Sequence, residues 1–289
     1  MRASNGEKVF YGVNYLVLLL ITLSCILPFL NIVALSLSDA KAVMSGQVSL
    51  LPVGFTFFSY KSLFEGTPIV NAFWNNIEIT LIGTFLSLAV TIMAAYPLSR
   101  KQFYARRFFT MAMVFTMIFS GGLIPTYLIV QKLGLVNSYY SLWLPGLVST
   151  YNMLIMRSYF SNIPSEIDEA ARIDGCGELR LLFRIMLPLS KPVLATIALF
   201  YGVGYWNAFM SVLIYINDTS LYNMTVLVQS MIMSTTAVQD FSDPAMIANL
   251  TPEGIRSAAV IVMVLPILLV YPFLQKYFVK GVMLGSIKG

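Results

Sequence analysis

Pro164-Ser165-Glu166-Ile167-Asp168-Glu169-Ala170-Ala171-Arg172-Ile173-Asp174-Gly175 is a polar island in an apolar chain, and it runs on to Ile185-Met186-Leu187-Pro188. Ser165 is placed as an N-cap, with Asp168 three residues on to close a capping box. Ile167, Ala170 and Ala171 share one helical face at i, i+3, i+4 spacing. Gly175 stands where a helix ends in a left-handed residue, a conformation glycine adopts without the penalty of a Cβ. A second helix is predicted beyond it, with Leu179, Leu182, Phe183 and Met186 on one side and Arg180 and Arg184 on another. Pro188 and Pro192 close that helix, since neither donates the backbone bond a continuing helix needs. The stretch predicts helix, turn, helix at a membrane surface, between two spans.

The surrounding composition excludes a soluble chain. Of 289 residues, 58% are hydrophobic and 11% charged, with mean hydropathy +0.78; soluble proteins carry about 25% charged residues. The chain is an all-α integral membrane protein. It has no histidine, which removes histidine acid–base chemistry and histidine metal ligation. Cys25 and Cys176 fall on either side of a predicted span, so neither a disulfide nor a metal pair is expected. No Gly-x-x-x-x-Gly-Lys-[Ser/Thr] loop occurs, so ATP is not bound by that route. The net charge of +5 reads as a topology signal rather than a nucleic-acid footprint.

Six spans are predicted, at about 12–37, 75–98, 108–130, 142–160, 193–216 and 257–278, each near the ~20 residues a bilayer requires. The first follows Arg2 and Lys8 and ends near Ala34-Leu35-Ser36, a passable signal-peptide cleavage site, but its length favours an uncleaved anchor. Between the first two spans, Phe57, Tyr60, Leu63 and Phe64 fall at helical spacing, as in a short interfacial helix. The third span is broken by Ser120-Gly121-Gly122 and Pro125. The side of the membrane holding Lys8 also holds Arg100, Lys101, Arg106, Arg107 and the Glu169 loop. The other side has only Lys41, Lys61, Lys132 and Arg256 of the 18 basic residues. By the positive-inside rule, both termini and the loop at 164–190 are cytoplasmic.

Glu169-Ala170-Ala171, Gly175, Ile185 and Leu187-Pro188, at this spacing, resemble the EAA loop of ABC importer permeases. The resemblance implies the type I ABC importer permease fold, one permease domain over 1–289, with this loop as a coupling helix between spans four and five. In that family the loop docks in a cleft of a cytoplasmic ATPase subunit. On that reading Glu169 anchors, Ala170 and Ala171 allow close approach, Gly175 makes the turn, and Asp174 and Arg180 join the docking face. Phe119-Ser120-Gly121-Gly122-Leu123-Ile124-Pro125-Thr126-Tyr127 and the tail Gln275–Gly289 are similar to the carbohydrate-uptake branch, nearest to permeases for oligosaccharides from complex polysaccharides, including alginate and pectin-fragment systems.

The same resemblance implies a bacterial cytoplasmic membrane protein that is no enzyme and holds no cofactor. ATP and Mg belong to two partner ATPase subunits. A second homologous permease and an extracytoplasmic sugar-binding protein complete the importer, which works by alternating access. For the path of an oligosaccharide, Tyr201, Tyr205, Trp206 and Asn207 of span five are the candidates: aromatic faces suit sugar C–H faces, and the hydroxyls and amide can bond sugar hydroxyls. Packing of helices through Gly202 and Gly204 explains the same residues. Gly121, Asn152 and Asn75-Asn76 carry the same two readings. The loop at 217–255, with Asp218, Asp240, Asp243 and Glu253, is by analogy the outer segment that reaches a docked binding protein. An ABC permease for another small solute is the alternative; a secondary transporter would show buried acids or histidines and internal repeats.

Overall fold

The computed structural model describes residues 5–233 and 251–286, with side chains over 6–233 and 251–272. The described residues are helical: α1 Asn5–Ser36, α2 Ala40–Met44, α3 Phe58–Gly66, α4 Ile69–Ser99, α5 Arg106–Ile118, α6 Leu123–Lys132, α7 Tyr140–Trp143, α8 Thr150–Ser161, α9 Ser165–Ile173, α10 Glu178–Leu181, α11 Leu187–Leu189, α12 Lys191–Trp206, α13 Met210–Tyr215, α14 Met224–Met233 and α15 Pro252–Ser286. A π-helical turn, Leu182–Met186, joins α10 to α11.

α1, α4 and α15 are each long and apolar enough to cross a bilayer unaided. The third predicted span is the pair α5 and α6, bent by 112°. Gly122 turns the chain there at φ +84°, and Pro125 falls in the first turn of α6, where its missing N–H costs nothing. The fifth predicted span is α12 and α13, broken at Asn207–Phe209, and α12 is bent by 83° from the Glu178–Leu189 segment that precedes it. The stretch predicted as a fourth span is no single helix: α7 stops ahead of Pro145-Gly146 and only α8 continues. The predicted outer loop at 217–255 opens with a 3₁₀ turn, Thr219–Leu221, and the apolar helix α14. Asp240 and Asp243, and the side chains of the Gln275–Gly289 tail, lie outside the described residues.

The chain packs as two compact units. One comprises 1–70 and 227–265. In it, Asp39 caps α2 by accepting from the Ala42 N–H at 2.7 Å, and Ala34, Ala42, Val43 and Val48 form a small core. The predicted interfacial helix is present as α3, with Leu63 buried and Phe57 and Phe64 exposed.

The other unit comprises 71–226 and 266–289 and contains every candidate site residue. One of its cores gathers Ala95, Tyr96, Met153, Met156, Phe160, Leu181, Met186 and Ile197 from α4, α8, the α10–α11 segment and α12. A second gathers Ile79, Val130, Leu142, Trp143, Val212 and Ile216. Gly83 is where α4 admits its neighbours. A Cβ there would lie 2.8 Å from the Tyr205 ring and 2.9 Å from Trp143 Cδ1.

Candidate functional site

α9 is amphipathic, and its two faces do different things. Ala171 is its one buried residue and packs into the core with Met186 and Leu181. Glu169, Ala170 and Asp174 are exposed. The helix ends as the sequence predicts. Gly175 takes φ +74°, its N–H bonds the Arg172 carbonyl at 3.0 Å, and the Cys176 N–H bonds the Ala171 carbonyl at 2.9 Å. That pairing is a Schellman motif. Ala171 therefore serves the chain's own packing, and among the docking candidates only Glu169, Ala170, Asp174, Gly175 and Arg180 lie on the outer surface.

Three local expectations are corrected. Ser165 does not cap α9; it is the first helical residue, behind Pro164, and no side chain caps the helix. Asp168 is drawn instead to cations, with Oδ2 at 3.4 Å from Arg100 Nη1 and 3.4 Å from Arg172 Nε. Pro188 does not end the second helix. The π turn loosens the hydrogen-bond ladder just ahead of it, so the helix passes through Pro188 and breaks at Ser190. That turn also resets the faces: Leu181, Leu182 and Met186 are buried, while Leu179 and Phe183 are 73% and 63% exposed. Ile173, beside Gly175, is 85% exposed.

Charged groups hold the inner side of this loop. Arg172 pairs with Glu178 Oε1, Tyr96 donates its hydroxyl to Glu178 Oε2 at 2.8 Å, and Arg100 Nη2 donates to the Tyr96 hydroxyl at 2.8 Å. Burial alone would raise the Glu178 carboxyl, but hydrogen bonds from Tyr96 and Arg172 outweigh it and hold the group below its ordinary range. Farther along, Arg157 Nε donates to the Leu98 carbonyl at 3.0 Å, satisfying one of the open carbonyls at the end of α4. Sequence reading missed Tyr96, Arg100 and Glu178, whose roles depend on neighbours remote in the chain.

Inside the membrane, the span-five candidates are occupied by their own chain. The Tyr201 hydroxyl pairs with Thr91 Oγ1 at 2.6 Å and accepts the Ser149 N–H at 2.9 Å. The Tyr205 hydroxyl pairs with Ser87 Oγ at 2.9 Å. These are two rungs of an antiparallel α4–α12 ladder, one turn apart on each helix. Asn76 Nδ2 reaches the Trp206 carbonyl at 3.4 Å, and Asn75 Nδ2 the carbonyls of Ser220 and Tyr222 at 2.7 and 3.0 Å. Trp206 lines an apolar cavity of about 320 Å³ with Leu81, Leu199, Val203 and Val270. Such a lining offers sugar hydroxyls almost no partner. Asn207 is exposed at the end of α12 and donates to the Val203 carbonyl at 2.9 Å. Gly121 is exposed with open space around it. Asn152 is buried in α8. A Cβ at Gly202 would stand 3.6 Å from Thr84 Oγ1, an ordinary contact, while one at Gly204 would meet nothing within 4 Å. The predicted residues do not converge on one polar pocket.

Comparison with known proteins bears on the whole chain. Over 98% of its length it is 39% identical to the polygalacturonan/rhamnogalacturonan transport system permease protein YtcP of Bacillus subtilis, 99% of which is covered. It is 29% identical to the arabinooligosaccharides transport system permease protein AraQ of Halalkalibacterium halodurans, over 91% of each chain. It superimposes, with a TM-score of 0.89 and 29% identity, on a chain in the crystal structure of a bacterial ABC transporter involved in the import of the acidic polysaccharide alginate, covering 96% of this chain and 99% of that one. The helical fold is that of a type I ABC importer permease. Residues 9–284 match the family described as the binding-protein-dependent transport system inner membrane component. The chain belongs to that family: it is a membrane-embedded permease subunit, not an enzyme, and the ATPase of such systems is a separate subunit.

Proposed function

We propose that this permease carries an oligosaccharide released from a complex polysaccharide, and that the loop α9–α11 is where it engages its ATPase. The substrate class rests on the relatives, which are named for polygalacturonan, rhamnogalacturonan and arabinooligosaccharide transport. The docking role rests on one observation: α9 is pinned on its inner face and bare on its outer face. Ile173 at the end of α9, and Leu179 and Phe183 farther along the same loop, are exposed, as is Glu169. Apolar side chains grouped on a polar loop mark a surface that another protein covers.

In this reading the assembly is this chain, a second homologous permease, two ATPase subunits holding ATP and Mg, and an extracytoplasmic binding protein. Both termini and the docking loop are cytoplasmic, in a bacterial cytoplasmic membrane, as the distribution of Lys and Arg favours. Closure of the ATPase dimer displaces α9, and the spans move to open outward. Loaded binding protein and ATP must favour the same outward-open state, because a ligand shifts an equilibrium only by its differential affinity.

The deciding experiment is a mild-detergent pull-down of the tagged chain from its native cells. The wild type is expected to retain an ATP-hydrolysing subunit and a second permease, and Glu169→Lys to lose the ATPase. Retention of the ATPase by Glu169→Lys would move the anchor away from that carboxylate.

Gly175 gives a second test. A Cβ there meets nothing within 4 Å, so the cost of substitution is purely the left-handed backbone, about 1–2 kcal/mol for an ordinary residue. Gly175→Val is expected to uncouple ATP hydrolysis from uptake. Gly175→Asn, which tolerates that conformation, should retain most transport. Equal uptake by the two variants would remove the turn from the mechanism.

A further inference from the structure

Ala171 is the one residue α9 buries, and a single methyl group cannot hold a helix that must withstand a load. What does hold it is a closed circuit of five side chains. Arg100 pairs with Asp168, Asp168 with Arg172, and Arg172 with Glu178; Tyr96 donates to Glu178 and accepts from Arg100, closing the ring. The charged members alternate in sign around it. Arg100 Cζ also lies 4.4 Å over the Tyr96 ring, and Tyr96 itself is fixed by an edge contact to Phe160 at 6.1 Å.

The ring is more than a surface ion pair. Arg100 and Asp168 are each more than four-fifths buried at the side chain, while Arg172 and Glu178 are 39% and 53% exposed, so the low-dielectric strengthening of linked polar groups acts on the Arg100–Asp168 side of the ring. Its geometry joins two elements. Asp168 and Arg172 lie on the same side of α9 as Ala171, away from Glu169 and Ile173. Tyr96 and Arg100 lie one turn apart at the end of α4. Farther along α4, Thr91 and Ser87 hold the hydroxyls of Tyr201 and Tyr205 on α12.

We propose that Tyr96 and Arg100 are positioning residues that clamp the inner face of α9 to the end of α4, so that a displacement of α9 moves α4, and through its hydroxyl ladder α12, as one body. The proposal rests on α9 being the ATPase-docking helix. Its central group is the Tyr96 hydroxyl, the one neutral member of the ring, which accepts from Arg100 while donating to Glu178.

The test uses the complete complex, with Cys25 and Cys176 replaced by serine and nitroxides placed at Lys101→Cys, just past α4, and Glu166→Cys, on the exposed side of α9. Distance distributions between the labels are measured with and without ATP and vanadate. In the wild type the distribution is expected to stay narrow and unmoved, since both labels ride on one body. Tyr96→Phe removes one oxygen and leaves the ring packing against Phe160. It is expected to broaden the distribution under ATP while the ATPase stays bound and hydrolyses. Asp168→Asn should do the same, Asp168→Glu should restore the narrow distance, and Tyr96→Phe with Asp168→Asn should be no worse than either alone, because both open the same circuit. A distribution as narrow in Tyr96→Phe as in wild type under ATP overturns the clamp, as does a wild-type distance that itself broadens. In the same preparation, Glu169→Lys losing its ATPase while Tyr96→Phe stays narrow overturns the clamp alone. Glu169→Lys keeping its ATPase only moves the anchor within the loop; retention of the ATPase by both Glu169→Lys and Phe183→Asp overturns the docking reading, and the clamp with it.

Discussion

Gly83→Leu is expected to abolish accumulation of the folded chain, and Gly83→Ala to lower its thermal midpoint in detergent measurably. The reason is a three-way contact with no slack. A Cβ at Gly83 would stand 2.8 Å from Tyr205 Cε2 and Cζ and 2.9 Å from Trp143 Cδ1, distances no side chain tolerates. Neither ring is free to retreat. Trp143 Nε1 donates to the Ile79 carbonyl at 3.1 Å, and the Tyr205 hydroxyl is paired with Ser87 at 2.9 Å. Overpacking of one methyl into such a site costs about 1–3 kcal/mol, and a leucine more. The lost rung adds to this, since hydrogen bonds between membrane helices average about 0.6 kcal/mol. Wild-type melting by Gly83→Ala would show that α4 and α12 can part without penalty, and the hydroxyl ladder would lose its mechanical meaning.

This contact also shows how far a sequence reading reaches in such a chain. Hydropathy picks out α1, α4 and α15, which are long and apolar enough to cross a bilayer, whereas the stretch read as a fourth span is no single helix. The break at Gly122 follows from local backbone chemistry. Gly175 was legible for the same reason: a left-handed helix end is a property of a few adjacent residues. Asp168 was not. Its spacing from Ser165 satisfies the capping-box pattern, yet Arg100, remote in sequence, competes for the carboxylate and wins with a charged partner. The face of α10 was misread because a π turn changes the period on which face assignments depend, exposing Leu179 and Phe183 in place of Leu181. Tyr201 and Tyr205 are read equally well as sugar contacts or as packing residues until their partners are known. Ser87 and Thr91 supply those partners, and no periodicity in the sequence pairs α4 with α12 in that register.

The exposed apolar side chains of the docking loop carry the second large prediction. Phe183→Asp is expected to strip the ATPase from the purified complex while leaving the permease folded. Phe183 is 63% exposed, so its removal opens no cavity in the chain itself. On the docking reading the same ring is covered by the ATPase, and a buried aromatic anchor at an interface typically contributes 2 kcal/mol or more, about a 30-fold loss of affinity. A carboxylate in its place adds desolvation without a partner, and Arg180 and Arg184 nearby are too exposed to compensate. Leu179→Asp and Ile173→Asp should behave alike, each weakening the same contact from a neighbouring turn. Met186→Asp is the contrasting case: Met186 is buried among Leu181, Ala171 and Val193, so that variant should fail at folding rather than at assembly. If Phe183→Asp retains the ATPase at wild-type levels but detaches the loop from anionic vesicles, the exposed face rests on lipid headgroups instead. Docking would then fall to the other outer-surface candidates, Glu169, Ala170, Asp174, Gly175 and Arg180. Loss of the ATPase with unchanged melting of the isolated permease would place the ring of Phe183 inside the partner, and make the π turn the feature that presents it.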